Sequence, residues 1–428
     1  MLLLSLVALL GCVEEVELGI VSNERTRGIL IVEATLTDEQ KNHRLTLSRM
    51  DTIIDLKIDS IYNPNTPIRD INRDLVLYER NADVSITEAS GPTYSFVEIS
   101  PGVYESSEVF SARTGSAYQL NITTQDGGIY VSKPTQVEGL ANISSMYAEK
   151  TISNSGEEGI GIFVDANTLE GNVKNLRYTY DETYKIVAPF WVEDDFRLTD
   201  YDPCALPVPT YNLEIVPREE EQKVCYGNAL SNTIIQTQQT NENDQGLNKF
   251  MVRFLSKENY IISHRYSIEV EQLVTSTESY SFYEQLNNFS QTGSVFSQVQ
   301  PGFLVGNLSS KDGREGSVIG FFDVVSVSKK RLFFNYEDIY PNEELPLYPF
   351  NCSEQSAPES HRSFCAPSSG GGCPQSVIER VNLNLISYVR NNDGGAVGSC
   401  PGPHVFVAKV CGDCTLLGSN KVPEFWTE

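Results

Sequence analysis

The sequence predicts a mainly β protein, with an N-terminal immunoglobulin-like sandwich and a larger β-rich domain that carries one helix. Three observations lead to this prediction: many short segments alternate apolar and polar residues, turn signals separate them, and one segment has helical spacing. The chain has 428 residues, of which 40% are hydrophobic and 21% charged, and this composition is typical of a folded protein of two or three domains.

The first twelve residues predict a lipoprotein signal. Residues 1–11 are almost wholly apolar, and Leu9-Leu10-Gly11-Cys12 fits a lipobox, in which the chain is cleaved before the cysteine and lipid is attached to it. We therefore expect lipidation at Cys12. The stretch is too short to span a bilayer. The alternative to a lipoprotein signal is therefore an ordinary secretory signal that happens to be followed by a cysteine. Residues 1–11 contain no Lys or Arg, so the positively charged start of a signal peptide is missing, and we expect the true start codon to lie upstream.

Residues 12–27 are acidic and predict a lipidated tether, and residues 28–135 predict the immunoglobulin-like sandwich. Ile29-Leu30-Ile31-Val32 is typical of a buried strand, and Arg44-Leu45-Thr46-Leu47-Ser48 alternates as a half-buried strand does. Asp126-Gly127-Gly128 predicts a hairpin turn late in this domain.

Residues 142–428 predict the larger β domain, with a strand at Arg265-Tyr266-Ser267-Ile268-Glu269-Val270. The one helix starts near Thr275, because Thr275-Ser276-Thr277-Glu278 fits a capping box. An aromatic and aliphatic stripe follows at helical spacing, and core packing explains it better than a ligand groove does. Its members are Tyr280, Tyr283, Leu286 and Phe289.

The formal net charge of −25 argues against a nucleic-acid partner, because phosphate backbones are bound by dense Lys and Arg. It also disfavours flat docking onto anionic lipid.

Eight of the nine cysteines remain if Cys12 carries lipid, and an even number in an exported protein predicts disulfides. We expect Cys204 to pair with Cys225, because they flank one loop. The sequence does not choose among the pairings of the other six. A zinc knuckle at Cys411-Gly412-Asp413-Cys414 is the alternative. The disulfide candidates are Cys204, Cys225, Cys352, Cys365, Cys373, Cys400, Cys411 and Cys414.

Motifs for catalysis are scarce, and we expect no catalytic residue, metal or cofactor. The four histidines form no HExxH pair, and GxSxG is absent. Ser326-Val327-Ser328-Lys329 formally fits SxxK, but it falls on a predicted strand, where the two side chains point apart. His43 and His264 adjoin strand starts and are interpreted as surface or pairing residues. Asn241-Glu242-Asn243-Asp244-Gln245-Gly246 is a weak calcium alternative.

Two aromatic segments stand out among 21 Tyr, 19 Phe and 2 Trp residues. They are Phe190-Trp191-Val192 and the terminal Phe425-Trp426. Rigid amphipathic side chains of this kind suit interfaces or sugar stacking, although most must fill β cores. Trp426 follows Pro423 closely, and we expect it to fix the C-terminus to the rest of the protein.

A series of short motifs runs along nearly the whole mature chain. They are Ile31-Val32-Glu33-Ala34, Gly102 with Tyr104, Gly115 with Tyr118, Arg265-Tyr266-Ser267, Gln272, Gln300-Pro301, Gly306-Asn307, Gly316, Gly320-Phe321-Phe322, Arg331, Cys411 to Cys414, Gly418, Pro423, Phe425 and Trp426. Together with the lipobox, they resemble a family of Bacteroidota outer-membrane lipoproteins known only as a domain of unknown function.

This resemblance implies a genomic context rather than a chemistry. Genes of the family commonly lie beside a TonB-dependent outer-membrane receptor, an arrangement similar to that of nutrient-uptake pairs. Glu14-Glu15 after Cys12 resembles the acidic signal that directs such lipoproteins to the cell surface. The resemblance supplies no catalytic residue.

We therefore expect a non-catalytic outer-membrane lipoprotein, facing the cell exterior, that partners a TonB-dependent barrel in ligand capture or uptake. Its membrane contact would be the lipid on Cys12. Two alternatives remain: a structural accessory of an outer-membrane assembly or secretion machine, and an extracytoplasmic hydrolase that uses carboxylates.

Overall fold

The computed structural model describes residues 29–49, 77–171, 173–202, 205, 210–238, 246–291, 304, 306–311, 318–359 and 376–428. Strands make up 55% and helices 10% of the structure, which confirms the mainly β prediction. No helix within these ranges is both long and apolar enough to cross a membrane. The predictions for the signal peptide, Cys12 and its tether, and for Cys204, Cys365, Cys373 and the calcium alternative over 241–245, lie outside the described residues.

The N-terminal part consists of nine strands around one apolar core. They are β1 (Leu30–Thr37), β2 (Arg44–Arg49), β3 (Leu77–Tyr78), β4 (Asp83–Glu88), β5 (Thr93–Ser100), β6 (Val103–Ser106), β7 (Ala117–Thr123), β8 (Ile129–Ser132) and β9 (Thr135–Gln136). Alternate residues point inward because side chains of a strand alternate between its faces. In β1, for example, Leu30, Val32 and Leu36 are buried in this core.

A second core lies between two layers of the larger part. One layer is an antiparallel sheet of β10 (Gly139–Ile152), β11 (Glu158–Gly171) and β17 (Gly246–Ser256). The other contains β12 (Asn175–Val187), β18 (Arg265–Thr275) and β20 (Val318–Asn335). Ile160 and Ile162 of the first layer join Tyr178 and Ile268 of the second in one apolar cluster.

One long sheet connects the two parts. Its order is β15-β12-β18-β20-β1-β2-β6-β5-β4-β7-β8-β19, where β15 is Val224–Leu230 and β19 is Leu308–Ser310. The joint is the parallel pairing of β1 with β20, which runs from Leu30 opposite Val318 to Thr37 opposite Val325. A single hydrogen-bonded sheet therefore passes through residues that the sequence assigns to two domains. The immunoglobulin-like detail and the domain boundaries stay predictions.

The remaining elements lie beside this framework. They are the hairpin of β13 (Asp194–Asp202) and β14 (Thr210–Pro217), and a small sheet of β21 (Gln355–Ser356), β22 (Ile386–Asn391) and β23 (His404–Ala408). Strand β16 (Ile235–Gln238) belongs to the long sheet, where it pairs with β12. The predicted helix is confirmed as α1 (Thr277–Gln291). Three short helices were not predicted, because four to six residues are too few to show a helical period: α2 (Tyr336–Ile339), α3 (Val377–Asn382) and α4 (Lys409–Gly412).

Candidate ligand-binding groove

An open groove of about 960 Å³ lies against helix α1, strands β1, β2, β12 and β20, and the turn from β15 to β16. This volume is within the range of small-molecule sites. Apolar side chains come chiefly from α1 and β20, whereas hydroxyl and amide groups come from β1, β2, β12 and the turn. The apolar group includes Phe282, Leu286, Leu304, Ile319 and Phe321, and the polar group includes Thr35, Thr46, Thr179, Ser231, Asn232 and Thr233.

Helix α1 forms the apolar wall. Ser276 begins it as the N-cap, because its Oγ accepts a hydrogen bond from the Ser279 backbone N–H at 3.1 Å. Phe282 then packs on Phe321 of β20, with ring centroids 5.6 Å apart. Phe282, Phe321 and Leu304 form a small apolar core. Leu286, one turn after Phe282, packs against this core and lines the groove.

Two details of the helix prediction were wrong. The N-cap is Ser276 rather than Thr275, which is the last residue of β18 and whose buried hydroxyl has no hydrogen-bond partner among the described residues. The buried aromatic position of the helix is Phe282, which the sequence did not single out, while Tyr280 is only half-buried. Ser276 also fits the N-cap preference, so a one-residue shift of the capping motif would have found it.

An ion pair lies in the interior beside the groove. Arg177 of β12 and Asp323 of β20 are both buried, and Arg177 Nη1 lies 3.0 Å from Asp323 Oδ2. The ring of Tyr283 covers the guanidinium at 4.0 Å, which adds a cation–π contact. Burial by itself would lower the pKa of Arg177, but Asp323 outweighs it and holds the pKa above its ordinary value. Burial raises the pKa of Tyr283, although Arg177 opposes this shift. The pair and its aromatic cover therefore form one contiguous cluster, of which Arg177 and Tyr283 line the groove.

The polar wall contains one further charged pair and one single acid. Arg44 of β2 is exposed and donates from Nε to Glu105 of β6. Glu33 of β1 is exposed and forms no ion pair within the described part of the chain. Ser231 is held in place because its Oγ accepts from the Tyr180 backbone N–H at 3.1 Å. The turn is thus anchored to β12 and presents its side chains to the groove.

Gly306 and Asn307 pack closely on β20, and Gly320 of β20 lies close to the Val32 carbonyl of β1. A Cβ on Gly306 would lie 1.6 Å from the carbonyl oxygen of Gly320, and Gly320 itself has a φ of +148°. The side chain of Asn307 pairs with both backbone groups of Phe322, accepting from N–H and donating to C=O at 2.8 Å. The Asn307 side chain therefore satisfies the backbone hydrogen-bonding groups of Phe322 near the start of β20, as a neighbouring strand would. This part of β20 lines the groove.

The predicted disulfides are confirmed for four cysteines. Cys225 bonds to Cys414, and Cys352 bonds to Cys411. The expected pairing of Cys204 with Cys225 is wrong, because Cys225 of β15 is bonded to Cys414, which lies 189 residues later in the sequence. The Cα atoms of Cys225 and Cys414 are 5.6 Å apart. Both sulfurs of the possible zinc knuckle thus belong to disulfides.

Cys400 is disulfide-bonded as well. The prediction paired Cys225 with a cysteine nearby in sequence. In the structure, β15 lies at the edge of the main sheet, and the C-terminal segment crosses it there and brings Cys414 to Cys225. The Tyr226 backbone and Ser419 form an antiparallel bridge there.

The C-terminal aromatics pack on this same edge. Trp426 is buried against Tyr226 and Phe333, with ring centroids 4.9 and 5.8 Å apart. Arg331 lies over the ring of Phe425 at 3.6 Å. Trp191 packs in a separate small cluster around the Cys225–Cys414 disulfide. These contacts explain the terminal motif as structural and place both aromatic segments away from the groove lining.

The histidines and the SxxK motif are not brought together into a site. His43 is buried, contrary to the surface interpretation, and it pairs through its backbone with Ser106. Ser326 donates to Gly139 at 2.6 Å, and Lys329 lies 2.8 Å from Glu39, on the strand that the sequence predicted. In the described ranges, no group of three or more His, Cys, Asp or Glu side chains is placed to hold a metal ion. His361 lies outside these ranges.

The family model of one domain matches residues 13–331. The match includes every strand from β1 to β19 and most of β20, whereas the C-terminal disulfide partners and Trp426 lie beyond it. No curated protein matches the chain. Since the match covers well over half of the 428 residues, the chain belongs to the family described as Domain of unknown function (DUF4249).

Proposed function

We propose that the protein is a non-catalytic, lipid-anchored protein of the outer membrane that captures a ligand and works with a TonB-dependent barrel in its uptake. The observation that carries this proposal is the open groove beside α1. Its size suits a small molecule, and its lining combines apolar surface with several hydroxyl and amide groups.

The arrangement of the groove favours binding over chemistry. The acid beside it, Asp323, is buried and forms an ion pair with Arg177 at 3.0 Å, so its side chain is already engaged with a neighbour inside the protein. The lining rests on a continuous sheet, with α1 capped at Ser276 and packed on β20. A site on regular elements is positioned with little conformational freedom, as capture by a preformed site requires.

The lipobox and the family support the membrane and barrel parts of the proposal. A lipid on Cys12 would hold the groove near the membrane through the tether of 12–27, and the family resemblance implies a gene beside one for a TonB-dependent receptor. The net charge of −25 keeps the body of the protein off anionic lipid, which leaves its surface free for a protein partner.

Affinity purification from native outer membranes tests this function. The tagged full chain is extracted in mild detergent, and its partners are identified by mass spectrometry. We expect a TonB-dependent barrel at about equal amount, and we expect it to be lost with Cys12→Ser, which removes the lipid site. Recovery of the lipoprotein alone would contradict a stable complex. Recovery of an assembly or secretion barrel would favour the structural-accessory alternative.

A further inference from the structure

We infer that the groove takes an uncharged amphiphile, with its apolar body against α1 and β20 and its hydroxyl or amide head group against the Thr, Ser and Asn side chains. This inference deepens the proposed function and rests on its capture step. It is carried by the charge balance and by the division of the lining between apolar and hydrogen-bonding groups.

The charge balance disfavours a charged ligand of either sign. Arg177 lines the groove, but it is buried and ion-paired with Asp323 at 3.0 Å, so its charge is offset within the protein. Burying an ionised group without a counter-ion is costly. Glu33 could attract a cation, but it is exposed, and attraction between solvated charges is weak. Arg44 is already bonded to Glu105.

The apolar part of the lining suits an aliphatic or alicyclic body. Leu286, Leu304 and Ile319 offer aliphatic surface, and burial of apolar ligand surface here gives a favourable free energy. The aromatic rings of this wall offer less: Phe282 is packed on Phe321, and the ring of Tyr283 is covered by Arg177. A ligand that needs an open aromatic face, as in ring stacking, is therefore less well served than one with a hydrocarbon body.

The polar part of the lining suits a neutral head group. Thr46 carries a hydroxyl that can both donate and accept, and Asn232 adds an amide. The Ser231 hydroxyl, which accepts from a backbone N–H of β12, can still donate. The Thr179 hydroxyl, which donates to Glu271 at 3.2 Å, can still accept. Such groups match the hydroxyls or amides of a ligand without requiring charge. A ligand that lacked them would leave part of this wall unpaired, which selects against a plain hydrocarbon.

Three probes with the same octyl chain and different head groups test the inference. They are octyl β-glucoside, octanoate and octyltrimethylammonium, each measured below its critical micelle concentration by isothermal titration calorimetry. The protein is the full chain with Cys12→Ser, so that no lipid anchor competes. We expect octyl β-glucoside to bind at one site about tenfold more tightly than either charged probe.

Two variants locate the site. Thr233→Trp, at an exposed position of the lining, should fill part of the groove and weaken octyl β-glucoside about tenfold. Ser95→Trp, at an exposed position of β5 outside the lining, is the matched control and should bind as the parent does. Equal unfolding midpoints in urea would show that both variants fold.

Tighter binding of either charged probe would overturn the uncharged character, and binding of none of the three would overturn the amphiphile. Unchanged binding by a folded Thr233→Trp variant would place the ligand elsewhere. The purified protein is measured without a barrel, so failure of these titrations is distinct from failure of the membrane purification.

Discussion

At the scale of single residues, buried polar side chains determine how the strands meet, and their partners are far away in sequence. Glu182 accepts from Arg253 at 3.1 and 3.0 Å, and Tyr266 donates to the same carboxylate. The buried Asn307 side chain likewise has its partner on a separate strand, because it donates to the Phe322 carbonyl of β20 at 2.8 Å. Read singly, Glu, Arg and Asn are typical of surfaces. The sequence therefore places these residues on strands but does not predict that they are interior, because their partners come from other strands.

His43 gives the prediction at this scale. Burial lowers its pKa from 6.5, Lys41 adds to the effect, and a hydrogen-bond contact of 2.9 Å between Nε2 and the Phe110 carbonyl opposes it. The unfolded chain therefore binds a proton at a higher pH than the folded protein does. The stability linked to His43 is complete above pH 6.5 and is lost as the pH falls through the lower folded pKa.

We therefore expect His43→Gln to flatten the pH dependence of the unfolding free energy between pH 8 and pH 5. Urea unfolding at several pH values, compared with the parent chain, measures it. His264→Gln is a useful companion, since burial lowers the pKa of His264 in the same direction. If the His43→Gln and parent curves run parallel over this range, the assigned role of His43 is incorrect.

At the scale of elements, the helix α1 and the strands follow from their patterns, but the start of the helix does not. Thr275 and Ser276 are both good N-cap residues: Ser is the better N-cap by itself, whereas Glu278 completes a capping box with Thr275. The structure chooses Ser276, because β18 extends to Thr275 and pairs that residue with Asn175. A tertiary contact thus sets the boundary of a local element.

The two hydroxyls give opposite expectations on removal. Ser276→Ala should lower the unfolding free energy by about 1 kcal/mol, because the Ser279 N–H loses its acceptor. Thr275→Val should leave it unchanged or raise it, since the buried Thr275 Oγ1 forms no hydrogen bond within the described part of the chain. Urea unfolding followed by circular dichroism measures both. A larger loss for Thr275→Val than for Ser276→Ala would restore the capping box that the sequence suggests.

The groove and the disulfides show what element patterns leave out. The stripe on α1 predicted core packing, and Leu286 does contact a small core, but it also lines the groove. Five strands or helices and one turn meet there, and the period of a single helix reports only that one face is apolar. Likewise, the even cysteine number predicted disulfides, whereas the partner of Cys225 depends on where the last residues cross β15.

At the scale of the whole molecule, the parallel pairing of β1 with β20 joins the two apolar cores. β20 contributes Phe322 and Val324 to the N-terminal core and Phe334 to the other. The sequence predicts two domains because a run of short strands is followed by a linker. It cannot show that a strand 288 residues later in the register, with Leu30 opposite Val318, enters the first sheet. A strand shared by two cores couples them, since unfolding either core removes a neighbour of the other.

This coupling predicts a single cooperative unfolding transition. Both tryptophans of the chain, Trp191 and Trp426, lie in the larger part, so their fluorescence does not report the N-terminal core directly. Leu120 is fully buried in the N-terminal core, and Leu120→Ala should cost about 2–5 kcal/mol through the lost burial and the cavity. We expect the fluorescence transition in urea to move to lower concentration together with the circular dichroism transition.

Ile268→Ala, at a fully buried position of the second core, is the matched variant and should move both signals in the same way. The informative failure would be a Leu120→Ala protein whose circular dichroism falls in two steps while its tryptophan transition stays at the parent position. The N-terminal strands would then unfold by themselves, and the hydrogen bonds between β1 and β20 would break at little cost to the larger part. Coincident shifts would instead mean that the groove, which is lined by β1, β2 and β20, lies across the joint of one folding unit.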